Sequence, residues 1–527
     1  MKYTLGLDFG TMSVRALIAS RTDGAVAASC AAPYDVVTGR LPTGAALKPD
    51  MALAIPRQYR EAMIAAVRGA MAESGLQAED IAGIGLDTTS CSCLPVDESW
   101  RPLCETEEYV DEPHAYIKLW KSHSAVDAAR HIQSVAEERS EAFLPWTGRR
   151  VSSEWLLPKA YETFLDAPGL FARAAAFVDL PDYITYLLSG EKTRNVASIR
   201  FKALATEEGL PSAEFLTAIA PGFAAVRDKL KGRWTRWGDR AGGLTEEMAQ
   251  TLGLCPGISV AGGALDGNIP VVSLNLCQPG DMLLTLGTSG VLAAMSKDAL
   301  LIDGIAGGGK DCFVPGYYGY EAGMAAMGDL YGWMIHNTVP ARYEEQAREA
   351  GLNLHAYLSS LALTRAPRAD DPLALDWWNG HRGPFKRMDV KGVMMGLSLD
   401  TRPEDIYRAL VEATAFCARL NLENYERQGL IVQRIGVCGG IGKKNPALMQ
   451  LFADVLGREL ALSKVDEAAA LGSAILAAAS IDGDLPAAAQ RMCAPLERRY
   501  IPNQERHEAF EERYQKYLKL SRAMQEI

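Results

Sequence analysis

The sequence predicts an α/β protein of two similar layered domains, and three observations carry that expectation. Two β-prone runs, 3–9 (YTLGLDF) and 14–19 (VRALIA), flank the turn GTMS, and the same layout returns in the second half, where Gly287-Thr288-Ser289 separates MLLTL from GVLAAM. A helical pattern opened by Pro56, with Tyr59, Met63, Val67 and Met71 every four residues, is closed by Gly75 and feeds the apolar run IAGIGLD at 81–87. A third region, 403–480, alternates helix and strand patterns, which is the signature of helices layered on a sheet.

Taken in order, the first strand, turn and strand form a hairpin at the N-terminus, followed by the helix from Pro56 and the strand at 81–87. The stretch from about 105 to 250 carries more charge and helical periodicity, including WLLPKAYETF (155–164) and FVDLPDYITYLLSG (177–190), and reads as an insertion on the first domain. Glycine-rich β character returns at 256–296 with ISVAGGALDG and MLLTLGTSGVLAAM. Then come a helix at 403–428, a strand at 431–438, the loop GGIGKKN at 439–445, a helix at 446–457, a strand at 459–465 and an Ala-rich helix at 467–480. From 490 onward a charged segment reads as a solvated terminal helix. The expected domains are therefore 1–255, 256–490, and a C-terminal helix within 491–527 that packs back on the body.

Composition narrows the class. With 527 residues, at about 150 per domain, two large domains or three to four small ones are expected. The formal charge of −11, with no run of basic residues, excludes nucleic acid as a natural partner. The longest uncharged apolar run, Met282–Ser296, is shorter than a bilayer crossing and is interrupted by glycines, so no membrane span is expected. Asp8 falls where a secretory signal would be apolar, and the ten cysteines are too sparse for a disulfide framework. A cytoplasmic protein with reduced thiols is expected.

Three elements carry chemistry. Asp8-Phe9-Gly10-Thr11 joins a carboxylate to a turn whose backbone N–H groups can approach an anion, although a plain hairpin with an exposed Asp has the same sequence. The second turn, Gly287-Thr288-Ser289, makes the pair a clamp for successive nucleotide phosphates, with Asp8 placed to hold a divalent cation through water. Gly439-Gly440-Ile441-Gly442, between strand and helix, gives backbone access for a flat ring or ribose, or is simply a tight turn. Asp266, in AGGALDGN, belongs at a strand end where α/β proteins bind substrates, or caps a helix.

These segments, together with KGVMMGLSLDTRPEDIYRALVEATAF (391–416) and CGGIGKKNPALMQLFADVLG (438–457), resemble the FGGY carbohydrate kinases over essentially the whole chain. LWKSH (119–123), GLDTTSCSCLPVD (85–97), GYEAGMAAMGDLYGW (319–333) and LDWWNGHR (375–382) resemble the L-ribulokinase branch of that family. The resemblance implies two actin-like (ribonuclease H-like) domains with a cleft between them, ATP and Mg2+ as cofactors, a ketopentose (L-ribulose foremost) as acceptor, and a possible homodimer. It implies that Asp266 is the general base and Asp8 the carboxylate near magnesium. Gly10, Thr11, Ser13 and Arg15 fall on one phosphate turn, Gly287 and Thr288 on the other, and Gly439, Gly440 and Asn445 on the adenosine side. Ser90, Lys202 and Glu321, with Asp266, fall on the sugar. Asp8 and Lys202 are expected in the first domain, Asp266, Thr288 and Gly440 in the second.

This chain departs from the family at Met12, where many relatives have a hydroxyl residue, and at Asn268, two residues after the base, where ribulokinases often carry His. Other acceptors remain open: D-ribulose, L-xylulose or ribitol. So does an actin-like ATPase that moves domains rather than phosphorylating sugar. His123, Trp377 and Trp378 read as packing residues before substrate contacts, and nothing in the sequence activates Cys91 or Cys93.

Overall fold

A computed structural model of the chain describes residues 2–525 other than 369, 386, 388 and 464. Tyr3–Phe9 lies at the centre of a seven-stranded sheet, antiparallel to Ser13–Ser20 and parallel to Ile81–Thr88. Val26–Pro33 extends the sheet on one side, and Ser259–Ala261 and Arg240–Gly243 on the other. The helix covering this sheet runs Pro56–Ser74: Pro56 suits its first turn, Tyr59, Met63, Ala66, Val67 and Ala70 are buried, and Gly75 ends it in the left-handed conformation at φ 66°.

The second seven-stranded sheet repeats the plan. Asp281–Leu286 is antiparallel to Gly290–Ser296 and parallel to Arg434–Cys438, as the duplicated turn requires. Tyr318–Met324 and Gly307–Lys310 extend one side, Leu460–Ser463 and Leu496–Tyr500 the other. The long helix Pro403–Arg427 buries most of its length against this half. No helix among the described residues is long and apolar enough to cross a membrane.

The fold differs from the sequence reading in several places. The middle region is not only helical. Two of its strands, Ile117–Lys118 and Ala176–Asp179, join Val37–Thr38, Ala52–Ala54 and Cys93–Val96 from the chain before it in a five-stranded sheet, whose core is shared with the helices Val126–Arg139 and Leu156–Asp166. Those strands are two to four residues long, too short for alternation to stand out. Ser259–Ala261 and Ala264–Leu265 are hydrogen-bonded into the first sheet, so that layer continues past residue 255.

The terminal segment first contributes the edge strand Leu496–Tyr500, antiparallel to Leu460–Ser463, and then the helix Gln504–Gln525. That helix is not wholly solvated: Phe510, Tyr514 and Tyr517, at i, i+4 and i+7, face the core, and buried Arg513 reaches Glu412. The charges on its outer face mask this stripe in the sequence. The expected strand 459–465 is observed as Leu460–Ser463, and Lys464 lies outside the described residues.

The Ala-rich helix Ala468–Asp482 falls in sequence between two strands of the second sheet, Leu460–Ser463 and Leu496–Tyr500, but lies on the first. A side chain on Gly6 would collide with the Ala470 carbonyl, and one on Gly85 with the Ser473 carbonyl, so only glycine admits the helix this close. Its apolar neighbours include Leu17 and Ala19 of the first sheet and Leu283 and Ala293 of the second, one core filling the space between the sheets.

Candidate active site

The first sheet ends in three carboxylates. Asp8 and Asp87 are in register on neighbouring parallel strands, and Asp266 follows Ala264–Leu265, which pairs with the same strand as Asp8 does. The Asp266 amide donates to the Thr88 carbonyl at 2.9 Å, which puts Asp266 on the first sheet rather than in the second domain. It also faces the second half: Gly267 packs on Val291, and the Thr285 hydroxyl lies 3.5 Å from the Gly267 carbonyl. The base candidate thus sits at the seam between the two duplicated hairpins.

Its carboxyl is pushed up to about 7, first by burial and then by the charge of Asp8, against the pull of the Gly267 and Ser90 amides. The Gly267 N–H donates to Asp266 Oδ1 at 2.7 Å. Burial also raises Asp8, opposed by the neighbouring Asp87 carboxyl and by Arg15. Asp87, which the sequence reading did not single out, is fully buried and raised well above the carboxylate range by burial and then by Asp8. The sequence shows it only as the acidic end of the apolar run IAGIGLD, and its register opposite Asp8 appears only in the fold.

The first turn is held from behind. The Tyr34 hydroxyl reaches the carbonyls of Gly10 (2.6 Å) and Ser13 (2.9 Å), and Trp120 donates to the Thr11 hydroxyl at 3.1 Å. Arg15 does not reach outward: it lies 3.9 Å from Asp8 and 2.9 Å from Glu467. The second turn is closed by the Gly287 amide donating to Ser289, while the Met327 and Gly328 amides donate to Thr288 and Gly287. Thr288 is exposed, as an anion contact requires. Among the described residues no three His, Cys, Asp or Glu side chains form a cation cage. Asp8 backed by Asp87 fits instead a magnesium ion that keeps its waters and takes phosphate oxygens.

Glu321 of Tyr318–Met324 accepts from the Asn268 side-chain Nδ2 at 2.8 Å, tying the segment after Asp266 to the second sheet. Lys202, at the end of the helix Val196–Lys202, is buried, with its ammonium 5.9 Å from the Trp155 ring and 5.3 Å from Phe201. Burial disfavours its charge, but Cys91, Glu321, Glu154 and Asp179 outweigh it and leave its pKa raised. The Ser90 hydroxyl lies 3.4 Å from the Cys91 thiol. Ser90, Lys202, Glu321 and Asp266 are therefore near neighbours: the Ser90 amide and the Glu321 charge both act on Asp266, and Glu321 also acts on Lys202. Glu154, whose charge also acts on Lys202, pairs with Arg382 at 3.1 Å.

The glycine-rich segment at 439–445 is a short helix, Gly440–Lys444, rather than an open loop. Gly439, at φ 109°, abuts the Leu286 carbonyl, whereas Gly440 has open space where a side chain would project. Asn445 is engaged within the protein: its oxygen accepts from the Leu448 amide at 3.1 Å, capping Pro446–Leu456, and its nitrogen donates to Ser359 at 2.6 Å. Trp377 is buried and Trp378 packs on Gly392 and Trp333, so both are packing residues.

Residues 3–273 match the N-terminal domain, and 282–481 the C-terminal domain, of the FGGY family of carbohydrate kinases. The chain is 38% identical to a ribulokinase of Halalkalibacterium halodurans over 98% of its own length and 94% of that protein's. It is 36% identical to one from Mycolicibacterium smegmatis, over 98% and 93%. Among solved structures, a xylulose kinase from Rhodospirillum rubrum superposes with a TM-score of 0.81 at 24% identity, covering 99% of each chain, which speaks to the fold.

Proposed function

The chain belongs to the FGGY family of carbohydrate kinases, phosphotransferases with an alcohol group as acceptor, and we propose that it phosphorylates L-ribulose to L-ribulose 5-phosphate with ATP. The observation that carries this reading is Asp266, a carboxylate with its pKa near neutrality, set between two phosphate turns beside Lys202 and Glu321. The identity to proteins named ribulokinase over nearly the whole chain supports the choice of sugar.

In this reading Asp266 accepts the proton of the terminal sugar hydroxyl as its oxygen bonds to the γ-phosphorus and the bond to the β-phosphate oxygen breaks. A base near neutrality is well matched to that task. Lys202 and Glu321 fix the sugar by charge-assisted hydrogen bonds. The turns at Gly10–Ser13 and Gly287–Ser289 align the phosphates, and Gly440 leaves room for the adenosine. Bound magnesium supplies charge neutralisation at the phosphates, with Asp8 its holder through water. Alignment and neutralisation are most of what phosphoryl transfer asks of a protein. We also infer a reducing, cytoplasmic setting, in keeping with ten cysteines that are all free.

The test is ATP consumption with and without a panel of L-ribulose, D-ribulose, L-xylulose and ribitol. L-Ribulose should give the highest kcat/KM. Preference for another member of the panel would move the substrate assignment, and equal ATP turnover without any sugar would replace the kinase by an ATPase.

A further inference from the structure

Lys159 lies on the helix Leu156–Asp166, is buried, and has no part in the chemistry above. Its ammonium donates to three carbonyls: Cys91 and Leu119 at 2.7 Å each, and Lys118 at 3.3 Å. Those three acceptors use all its protons. No carboxylate lies within ion-pair distance of it among the described residues. A buried ammonium spent wholly on backbone carbonyls is costly unless those carbonyls must be held.

Cys91 is where holding is needed. It has φ 59°, a left-handed conformation that side-chain-bearing residues rarely adopt. The residues on either side of the Ser90–Cys91 pair are tied independently: the Thr89 amide donates to Phe9 at 2.9 Å, and the Leu180 amide to the Ser92 carbonyl at 2.7 Å. Among the described hydrogen bonds, the Cys91 carbonyl is held by Lys159 alone. Between these anchors lies Ser90, two residues after Thr88, whose carbonyl accepts from the Asp266 amide at 2.9 Å; the Ser90 amide is near enough to the Asp266 carboxyl to lower its pKa. Strain kept at a site by an over-determined surrounding is a mark of function.

We propose that Lys159 is a positioning residue: by holding the Cys91 carbonyl it keeps the left-handed turn in place and so aims the Ser90 N–H at the carboxylate of the base. The inference rests on the sugar-kinase reading given above. In this reading Lys159 touches neither sugar nor nucleotide, and it acts through the backbone from 90 to 92. Misplacing a base by a fraction of its hydrogen-bond length costs turnover rather than ATP affinity.

The experiment compares the wild type with Lys159→Met, Cys91→Val, Cys91→Gly and the double variant Lys159→Met/Cys91→Gly, measuring kcat and both KM values on L-ribulose and ATP. Lys159→Met should lower kcat about tenfold or more with the KM for ATP unchanged. Cys91→Val should do the same with the lysine intact, because a β-branched residue resists a positive φ. Cys91→Gly supplies its own reference turnover, and against that reference the added Lys159→Met should cost only a small part of what it costs in the wild type, since glycine adopts the turn unaided. A purely structural role for Lys159 gives no such reduction. If Lys159→Met fails to fold, Cys91→Val decides. Native kcat in Lys159→Met or in Cys91→Val, or an undiminished cost of Lys159→Met in the double variant, overturns the proposal while an active wild type leaves the sugar-kinase reading standing. A wild type without sugar-dependent turnover overturns both.

Discussion

The Ser473 hydroxyl donates to the Asp87 carboxylate at 2.6 Å, joining a helix that lies in sequence between strands of the second sheet to a strand in the middle of the first. It is the only polar side-chain donor to Asp87 among the described residues, and Asp87 Oδ1 has none. Asp87 in turn backs Asp8, the carboxylate assigned to the metal side of the site.

Ser473→Ala should therefore leave a buried carboxyl without its donor, at a cost of about 1–3 kcal/mol. Urea unfolding of the variant and the wild type measures it. A difference within a few tenths of a kcal/mol would show that Asp87 finds another partner.

Asp266→Asn should keep the fold and ATP binding while turnover falls by about 10²–10⁴. Calorimetric titration with ATP and a coupled rate assay separate the two effects. Near-native phosphorylation by this variant would remove Asp266 from the role of base.

Because Asp266 is raised to about 7, kcat/KM for the sugar should fall as pH drops below neutrality, approaching tenfold per unit where the base is mostly protonated. Asp8 and Glu321 are the charges that raise it together with burial, and Asp87 stands behind them. The sign for stability is opposite to that of a salt-bridged carboxylate. A folded pKa above the ordinary carboxylate value favours the protonated folded state, so this contribution is present at low pH and is lost as pH rises through about 7. Asp266→Asn should accordingly gain in melting temperature over the wild type between pH 5 and pH 8. A constant difference across that window would contradict the raised pKa.

Lys202→Ala and Glu321→Ala should each raise the sugar KM by about tenfold or more while the ATP KM stays within a factor of two or so, since charge-assisted hydrogen bonds to the sugar are lost and the phosphate turns are untouched. Steady-state kinetics with each substrate varied in turn provide the check, and parallel rises in both KM values would assign the pair to stability instead.

Gly440→Val and Gly439→Ala should behave differently although they are neighbours. The Gly440 position opens on empty space, so a valine there folds and obstructs ATP. Gly439 has φ 109° against the Leu286 carbonyl, so even an alanine there strains the chain. Melting curves and ATP titrations of both variants distinguish obstruction from destabilisation.

Much of this was legible from local pattern. Pro56 and Gly75 bound the first long helix at both ends, and the paired GT turns announced two equivalent hairpins. Asp266 was legible as a carboxylate after a strand, yet its sheet was not: only the hydrogen bond to Thr88 shows which layer it closes. Arg15 and Asn445 illustrate the converse. Their types suit phosphate and ribose, but Glu467 and Ser359, distant in sequence, already engage them. Lys159 and Asp87 draw their meaning wholly from such distant partners, which periodicity and spacing do not encode.

The close seat of Ala468–Asp482 on Gly6 and Gly85 also has a consequence for synthesis. The sheet strands that include Tyr3–Phe9 and Ile81–Thr88 leave the ribosome early, but the helix that covers one of their faces emerges only after most of the 527 residues have been translated. Until then that face is bare apolar surface, the kind on which chaperones act. A gene fragment ending before residue 468 should consequently yield an aggregating first half, and the enzyme should be recovered from two pieces only when the second carries this helix.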